Sequence, residues 1–240
     1  MGTYIVIGGT GGIGSELCRM LQSRGEKVVA AARNEERLRT LAAETGVIPR
    51  TVEATDFESV EALIQSVVTE SGEVSGVVNC VGSIILKPAH LTSSSEFHDT
   101  VAKNLTSAFA AVRSATKAML NNGGSIVLLS TAAARIGVAN HEAIAAAKGG
   151  ILSLTMSAAA TYASKNIRIN CVAPGLTETP LSERITKVEA SRKVSLAMHP
   201  LGRLGRPRDV AAMIEFLLRP ENDWITGQCF GVDGGLGTLR

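Results

Sequence analysis

The chain has 240 residues, 45% of them apolar and 19% charged, with a formal net charge of +2. That composition is globular rather than disordered, and the length suits one α/β domain around one large core. Charges of both signs are interspersed, the four histidines are scattered and none of the four cysteines forms a CxxC pair, which excludes a basic nucleic-acid surface and a clustered metal site.

Cys18, Cys80, Cys171 and Cys229 each sit in an apolar segment and read as buried thiols of a reducing, cytoplasmic compartment. No apolar run reads as a membrane span. MGTYIVIGG enters a strand almost at once, so a soluble, unprocessed chain is expected.

In chain order, TYIVIG reads as a buried strand. The turn Gly8-Gly9-Thr10-Gly11-Gly12-Ile13-Gly14 follows, then the helical stretch SELCRMLQSRG, closed by Gly25. KVVAAA is a second strand and NEERLRTLAAETG a helix; VIPRTVEA is a third strand and SVEALIQSVVTESG a helix. VSGVVNCVG is a fourth strand, followed by a polar loop and the helix SSEFHDTVAKNLTSAFAAVRSATKAML. SIVLLS is a fifth strand, and a long helix runs from about Glu142 to Ala163. IRINCVAPG is a sixth strand and QCFGVDGG a short last one. Apolar strands alternating with helices imply a parallel sheet covered on both faces, and right-handed crossovers make it doubly wound. The expected fold is therefore a Rossmann-like, three-layer α/β domain spanning residues 1–240 without a linker. The stretch 175–205 is polar and irregular and follows a strand's carboxyl end, where ligands bind in such sheets; it is expected to be a lid over the substrate.

Glycines between the first strand and first helix permit a tight turn and close approach of a pyrophosphate, while the helix N-terminus offers free N–H groups and a favourable dipole. The second strand ends in Ala32 and Arg33, where an acid would favour NAD(H) by binding ribose hydroxyls. An arginine pairs instead with a 2′-phosphate, so NADP(H) is favoured over NAD(H). The plainer reading of Arg33 is a surface residue before a helix capped by Asn34.

With these motifs on the page, the chain resembles the short-chain dehydrogenase/reductase family over nearly its whole length. GGTGGIG is similar to the family's glycine turn, with Ile7 where a threonine is usual, and NCVG, Asn79 to Gly82, is similar to its NNAG segment beside the adenosine. Glu53 falls where an adenine-binding aspartate is common. The resemblance implies that Gly8, Thr10, Gly12, Ile13, Gly14, Arg33, Asn79 and Gly82 hold the cofactor. It implies the same of Pro174, Gly175 and Thr179 in VAPGLTETP. WITGQCFGVDGG resembles the family's last strand and tail. The implied substrate is a small carbonyl or alcohol, and the implied assembly a homotetramer or dimer, with Gly149 and Gly150 allowing close helix packing between chains.

The implied catalytic residues are Asn104, which organises a proton-relay water; Thr131, beside Ser130, as the hydroxyl that meets the carbonyl; and Lys148, which binds the nicotinamide ribose. The family's tyrosine, one helical turn before the lysine, is replaced by Ile144. Tyr4 belongs to the first strand, and Tyr162, near the end of the long helix, reads as a packing residue. His141, a further turn back on the same face, is the one proton donor available there, and is also readable as part of a helix cap with Glu142. Three readings stand: an oxidoreductase with a rewired acid, a nucleotide-binding sensor or regulatory scaffold without turnover, and a structural relative that binds no cofactor.

Overall fold

The computed structural model describes residues 2–239. Seven strands form one sheet: β1 (Thr3–Ile7), β2 (Lys27–Ala32), β3 (Ile48–Thr51), β4 (Gly76–Asn79), β5 (Gly124–Leu129), β6 (Ile167–Pro174) and β7 (Cys229–Val232). Their order is β3-β2-β1-β4-β5-β6-β7, and every neighbouring pair is parallel. All of β1 is buried, as its unbroken apolar run requires of a strand covered on both faces. The chain winds outward from β1 in both directions, so the crevice between the carboxyl ends of β1 and β4 is the switch point where such sheets bind ligands.

Helices α1 (Gly12–Ser23) and α2 (Glu35–Thr45) cover one face. The other carries α3 (Phe57–Ser71), the pair α4 (Ser94–Val101) and α5 (Ser107–Met119), and α6 (Glu142–Tyr162). Two short helices, α7 (Glu183–Thr186) and α8 (Glu189–Met198), follow β6 in the stretch expected to be irregular. A ninth helix, α9 (Pro207–Leu218), lies on the α1 face and was not among the expected elements. Proline at its first position, the Asp209 carboxylate accepting from the Arg206 amide, and buried Val210, Ala211, Ile214, Leu217 and Leu218 account for it.

The helix expected from Ser94 onward is interrupted by a π-helical turn, Ala102–Thr106, with Asn104 at its centre. One extra residue is accommodated there, and such bulges concentrate at functional sites. α6 differs from expectation in another way: residues 142–165 are long and apolar enough to cross a membrane by length and composition. That apolarity serves the core, because Ile151, Ala158 and Ala159 pack into the cluster shared with α3 and α5. Tyr162 packs against the same cluster, at the far end of α6 from Lys148. Gly150 also has an internal role: a Cβ there would lie 2.9 Å from the Leu105 side chain, so this glycine lets α6 approach its own neighbour. Trp224, the chain's one tryptophan, is 96% exposed in the turn before β7.

Candidate active site

Because every strand is parallel, the segments after β1, β2, β4, β5 and β6 all emerge at one edge. After β1, Gly8 has φ +83°, a conformation that suits glycine alone. Helix α1 begins at Gly12, three residues earlier than SELCRMLQSRG suggested, with Gly11 as its N-cap. A Cβ on Gly14 would run into the Gly8 carbonyl oxygen, so the turn closes tightly on the helix start. A Cβ on Gly12 would meet Thr179 Cγ2 at 2.8 Å, which places Thr179 directly over the turn.

A cleft runs from this turn to the end of β2. Its walls include Gly8, Thr10, Gly12, Arg33, Arg37, Glu53 and Gly82. Arg33 is exposed, and its guanidinium lies 3.8 Å from the Glu53 carboxylate, while Asn34 caps α2 by accepting from the Arg37 amide. A helix N-terminus stripped of side chains at one end and two arginines at the other fit a dinucleotide carrying several phosphates. Gly14 and Asn79 do not line the cleft. Gly14 acts by leaving room, and buried Asn79 shapes the following loop, accepting from the Val81 amide at 3.1 Å and donating to Ser107 Oγ at 3.1 Å.

Beyond Gly82 the cleft continues into a cavity of about 250 Å³, which shares Cys80, Val81, Gly82 and Leu181 with it. Ile13, Asn104, Thr131, His141, Ile144, Lys148, Pro174, Gly175 and Thr179 all line it. The rest of its wall is largely aliphatic, with Ile84, Leu86, Val138, Leu176, Ile185 and Met198. A Cβ on Gly82 would lie 2.8 Å from Asn104 Oδ1 and 3.3 Å from Lys148 Nζ, so bare backbone at Gly82 is what lets these two side chains converge.

Lys148 is buried, and its ammonium donates to the Leu129 carbonyl at 2.7 Å. Burial pulls its pKa down from 10.5 to about 8. None of the described residues lining the cavity carries a carboxylate. The neighbouring Cys80 thiol supplies no counter-charge, since burial pushes its pKa up to about 12. Asn104 is buried and fully engaged: its Nδ2 donates to the Thr100 carbonyl and to Ser83 Oγ, and its Oδ1 accepts from the Ser83 amide. The two adjacent hydroxyls after β5 divide their work. Ser130 Oγ turns away and donates to the Lys148 carbonyl at 2.9 Å, whereas Thr131 has only long contacts, 3.5 Å to the Pro174 carbonyl and 3.4 Å from the Ala133 amide. Thr131 is thus the hydroxyl open to a ligand.

His141 is the N-cap residue of α6 but makes no side-chain cap bond. Its Nδ1 lies 2.7 Å from the Ala139 carbonyl, so Nδ1 donates there and proton exchange falls to Nε2. Ile144 is buried in the cavity wall between His141 and Lys148. Three participants escaped sequence reading: Ser83, which ties down Asn104; the Leu129 carbonyl; and buried His199. His199 Nδ1 donates to the Ser195 carbonyl and Nε2 accepts from the Leu176 amide, joining α8 to the turn after β6. A lone histidine in MHPLG gave no periodic signal, and a backbone carbonyl gives none at all.

A family model described as Enoyl-(Acyl carrier protein) reductase matches residues 8–237. A tropinone reductase homolog of Arabidopsis thaliana is 35% identical, covering 97% of this chain and 91% of its own. The structure of a short-chain type dehydrogenase/reductase from Mycobacterium ulcerans superposes with a TM-score of 0.95 at 28% identity, covering 100% of this chain and 90% of the other. A variant of the actinorhodin polyketide ketoreductase, solved with NADPH, superposes at 0.92 with 30% identity, covering 99% and 98%. The glycine turn at the β1–β4 crevice, the lysine-bearing α6 and this likeness along the whole chain lead to one conclusion: the chain belongs to the short-chain dehydrogenase/reductase family.

Proposed function

We propose that this protein is an NADP(H)-dependent oxidoreductase acting on a small carbonyl or alcohol through an atypical active site. The observation that carries this reading is the convergence of Thr131, Lys148 and Asn104 on one cavity continuous with the glycine-turn cleft. When bound, the nicotinamide supplies or accepts the hydride. Arg33 and Arg37 favour a cofactor bearing a 2′-phosphate.

The chain's own residues then divide the remaining work. Thr131 donates its loosely held hydroxyl proton in a hydrogen bond to the substrate oxygen. The Lys148 ammonium stabilises charge developing on that oxygen, in a cavity whose described lining carries no carboxylate to neutralise it. Asn104 fixes Ser83 and the loop above the cavity. His141 exchanges the proton at Nε2: neutral, it takes a proton from an alcohol; protonated, it delivers one to a carbonyl. Residues 175–205, held to the cavity rim by His199, act as the lid. Exposed Phe109 and Met156 on α5 and α6 suit a dimer or tetramer.

The test is NADPH binding by its fluorescence, then NADPH oxidation over a panel of ketones, aldehydes and quinones. Turnover that falls by about 10²-fold or more in His141→Ala supports the histidine as proton carrier. Ile144 favours the second reading, a nucleotide-binding sensor or scaffold: tight NADPH binding without turnover, with reduction restored by Ile144→Tyr, would establish it.

A further inference from the structure

We infer that Cys171 and Cys229 form a redox-active dithiol, a modification site outside the cavity that hydroperoxides convert to a disulfide across the edge of the sheet. The two residues are direct register partners on the parallel strands β6 and β7. Neighbouring strands lie about 4.8 Å apart, inside the Cα separation that a disulfide spans. Both side chains project onto the α6 face: Cys171 belongs to the core cluster there, and Cys229 packs against it. Cys171 is buried, while Cys229 is only half-buried, so an oxidant meets Cys229 first.

The surroundings of the pair divide the roles. The two thiols share a hydrogen bond in which Cys171 donates, and this lifts the Cys171 pKa. Accepting that bond, helped by the Arg135 guanidinium and opposed by burial, pulls Cys229 down from 9.0 to about 7. Arg135 reaches this place because Gly231 has no side chain. A Cβ on Gly231, the next residue on the same face of β7, would lie 2.8 Å from Arg135 Nη1. Asp233, next again on that face, has its carboxylate taken up by the Gly235 and Gly237 amides. A partly exposed thiolate beside a cation, with a second thiol in contact, is the arrangement that reacts with peroxides and then closes on itself. Cys18 and Cys80 offer no such thiolate, since burial pushes both up to about 12.

The Cys229 thiolate attacks one peroxide oxygen. The O–O bond breaks, hydroxide leaves, and Cys229 becomes a sulfenic acid. The Cys171 sulfur then attacks the Cys229 sulfur, the S–O bond breaks, and the oxygen departs as water with the Cys171 proton. In balance, two thiols and one hydrogen peroxide give one disulfide and two waters; the sulfurs lose two electrons and the peroxide gains them. β6 runs into Pro174 and Gly175 and β7 leads to Leu236, all in the cavity wall, so the bond ties two parts of that wall at their base. The inference holds whatever reaction the cavity carries out.

The whole protein is exposed to hydrogen peroxide at neutral pH, then denatured in N-ethylmaleimide and weighed. The reduced chain, with four cysteines, takes four labels. The oxidised chain should take two, with tryptic peptides 169–184 and 209–240 joined, and dithiothreitol should restore all four. Cys171→Ala should stop at the sulfenic acid of Cys229, trapped by dimedone, and Cys229→Ala should leave Cys171 free. Four free thiols at a peroxide dose that oxidises glutathione overturn the inference. So does a bond between Cys18 and Cys80, a bond between two chains, or over-oxidised Cys229 without a bond. Should either variant fail to fold, the peptide map of the wild type still decides.

Discussion

At the scale of single residues, Lys148 is where stability and chemistry pull apart. The fall from 10.5 to about 8 means that, at neutral pH, the folded chain holds a charged group its surroundings disfavour. The difference corresponds to about 3 kcal/mol of destabilisation. A depressed lysine pKa costs the folded state in full below the folded value, and the cost fades as pH rises through about 8 toward 10.5, where the unfolded chain also deprotonates. Lys148→Met is therefore expected to be more stable than the wild type in urea titrations at pH 7, by an amount of that order. The gap should narrow between pH 8 and 10.5; a gap independent of pH would assign the effect to packing instead. The lysine, the asparagine and the hydroxyl at 131 were singled out by the resemblance of their segments to a known family, and the fold brings all three to one cavity. Their partners were not. Leu129 contributes a carbonyl, and Ser83 sits 21 positions from Asn104, so nothing local announces either contact. The tautomer of His141 likewise follows from the Ala139 carbonyl, a feature of the loop's path rather than of composition.

At the scale of elements, the alternation of apolar strands and helices was readable as far as β6, since the central strands are buried on both faces and carry nearly uninterrupted apolar runs, whereas α9 was missed. Boundaries were less so. The glycine turn was read as loop up to Gly14, yet helix begins at Gly12, because glycine's poor helix propensity is outweighed by the turn it closes. The π-turn at Ala102–Thr106 was invisible because the Asn104 side chain holds it, bonded to the Thr100 carbonyl one turn back and to Ser83 across the fold. The junction of β1 and α1 carries the sharpest steric demand. Gly14→Ala sets a methyl group against the Gly8 carbonyl and forces the helix start outward. Overpacking of that kind costs about 1–3 kcal/mol. The variant is expected to melt at lower temperature and to lose NADPH affinity, read as a higher Kd by fluorescence titration, while Gly25→Ala, which has open space around it but a left-handed backbone, should lower stability without weakening NADPH binding.

At the scale of the whole molecule, the sheet order sets both the site and the surfaces left over. The β1–β4 crevice takes the glycine turn, and the outer faces of α5 and α6 keep Phe109 and Met156 exposed. Gly149 has open space beyond it, while Gly150 is occupied by Leu105, so of the two glycines expected to face another chain only Gly149 can do so. Sedimentation or light scattering should return a dimer or tetramer, and Met156→Glu should shift the mass toward one chain; a monomeric wild type would leave these residues merely exposed. The same architecture hands the experimenter an optical device. With a single tryptophan, held in water at Trp224 beside β7, emission excited at wavelengths that Tyr4 and Tyr162 do not absorb originates from one point on the surface. Quenching by iodide then measures whether that point is covered by another chain, whereas the fluorescence of the reduced nicotinamide measures occupancy of the cleft. Assembly and cofactor binding can thus be followed separately in one cuvette, without attaching a label to either.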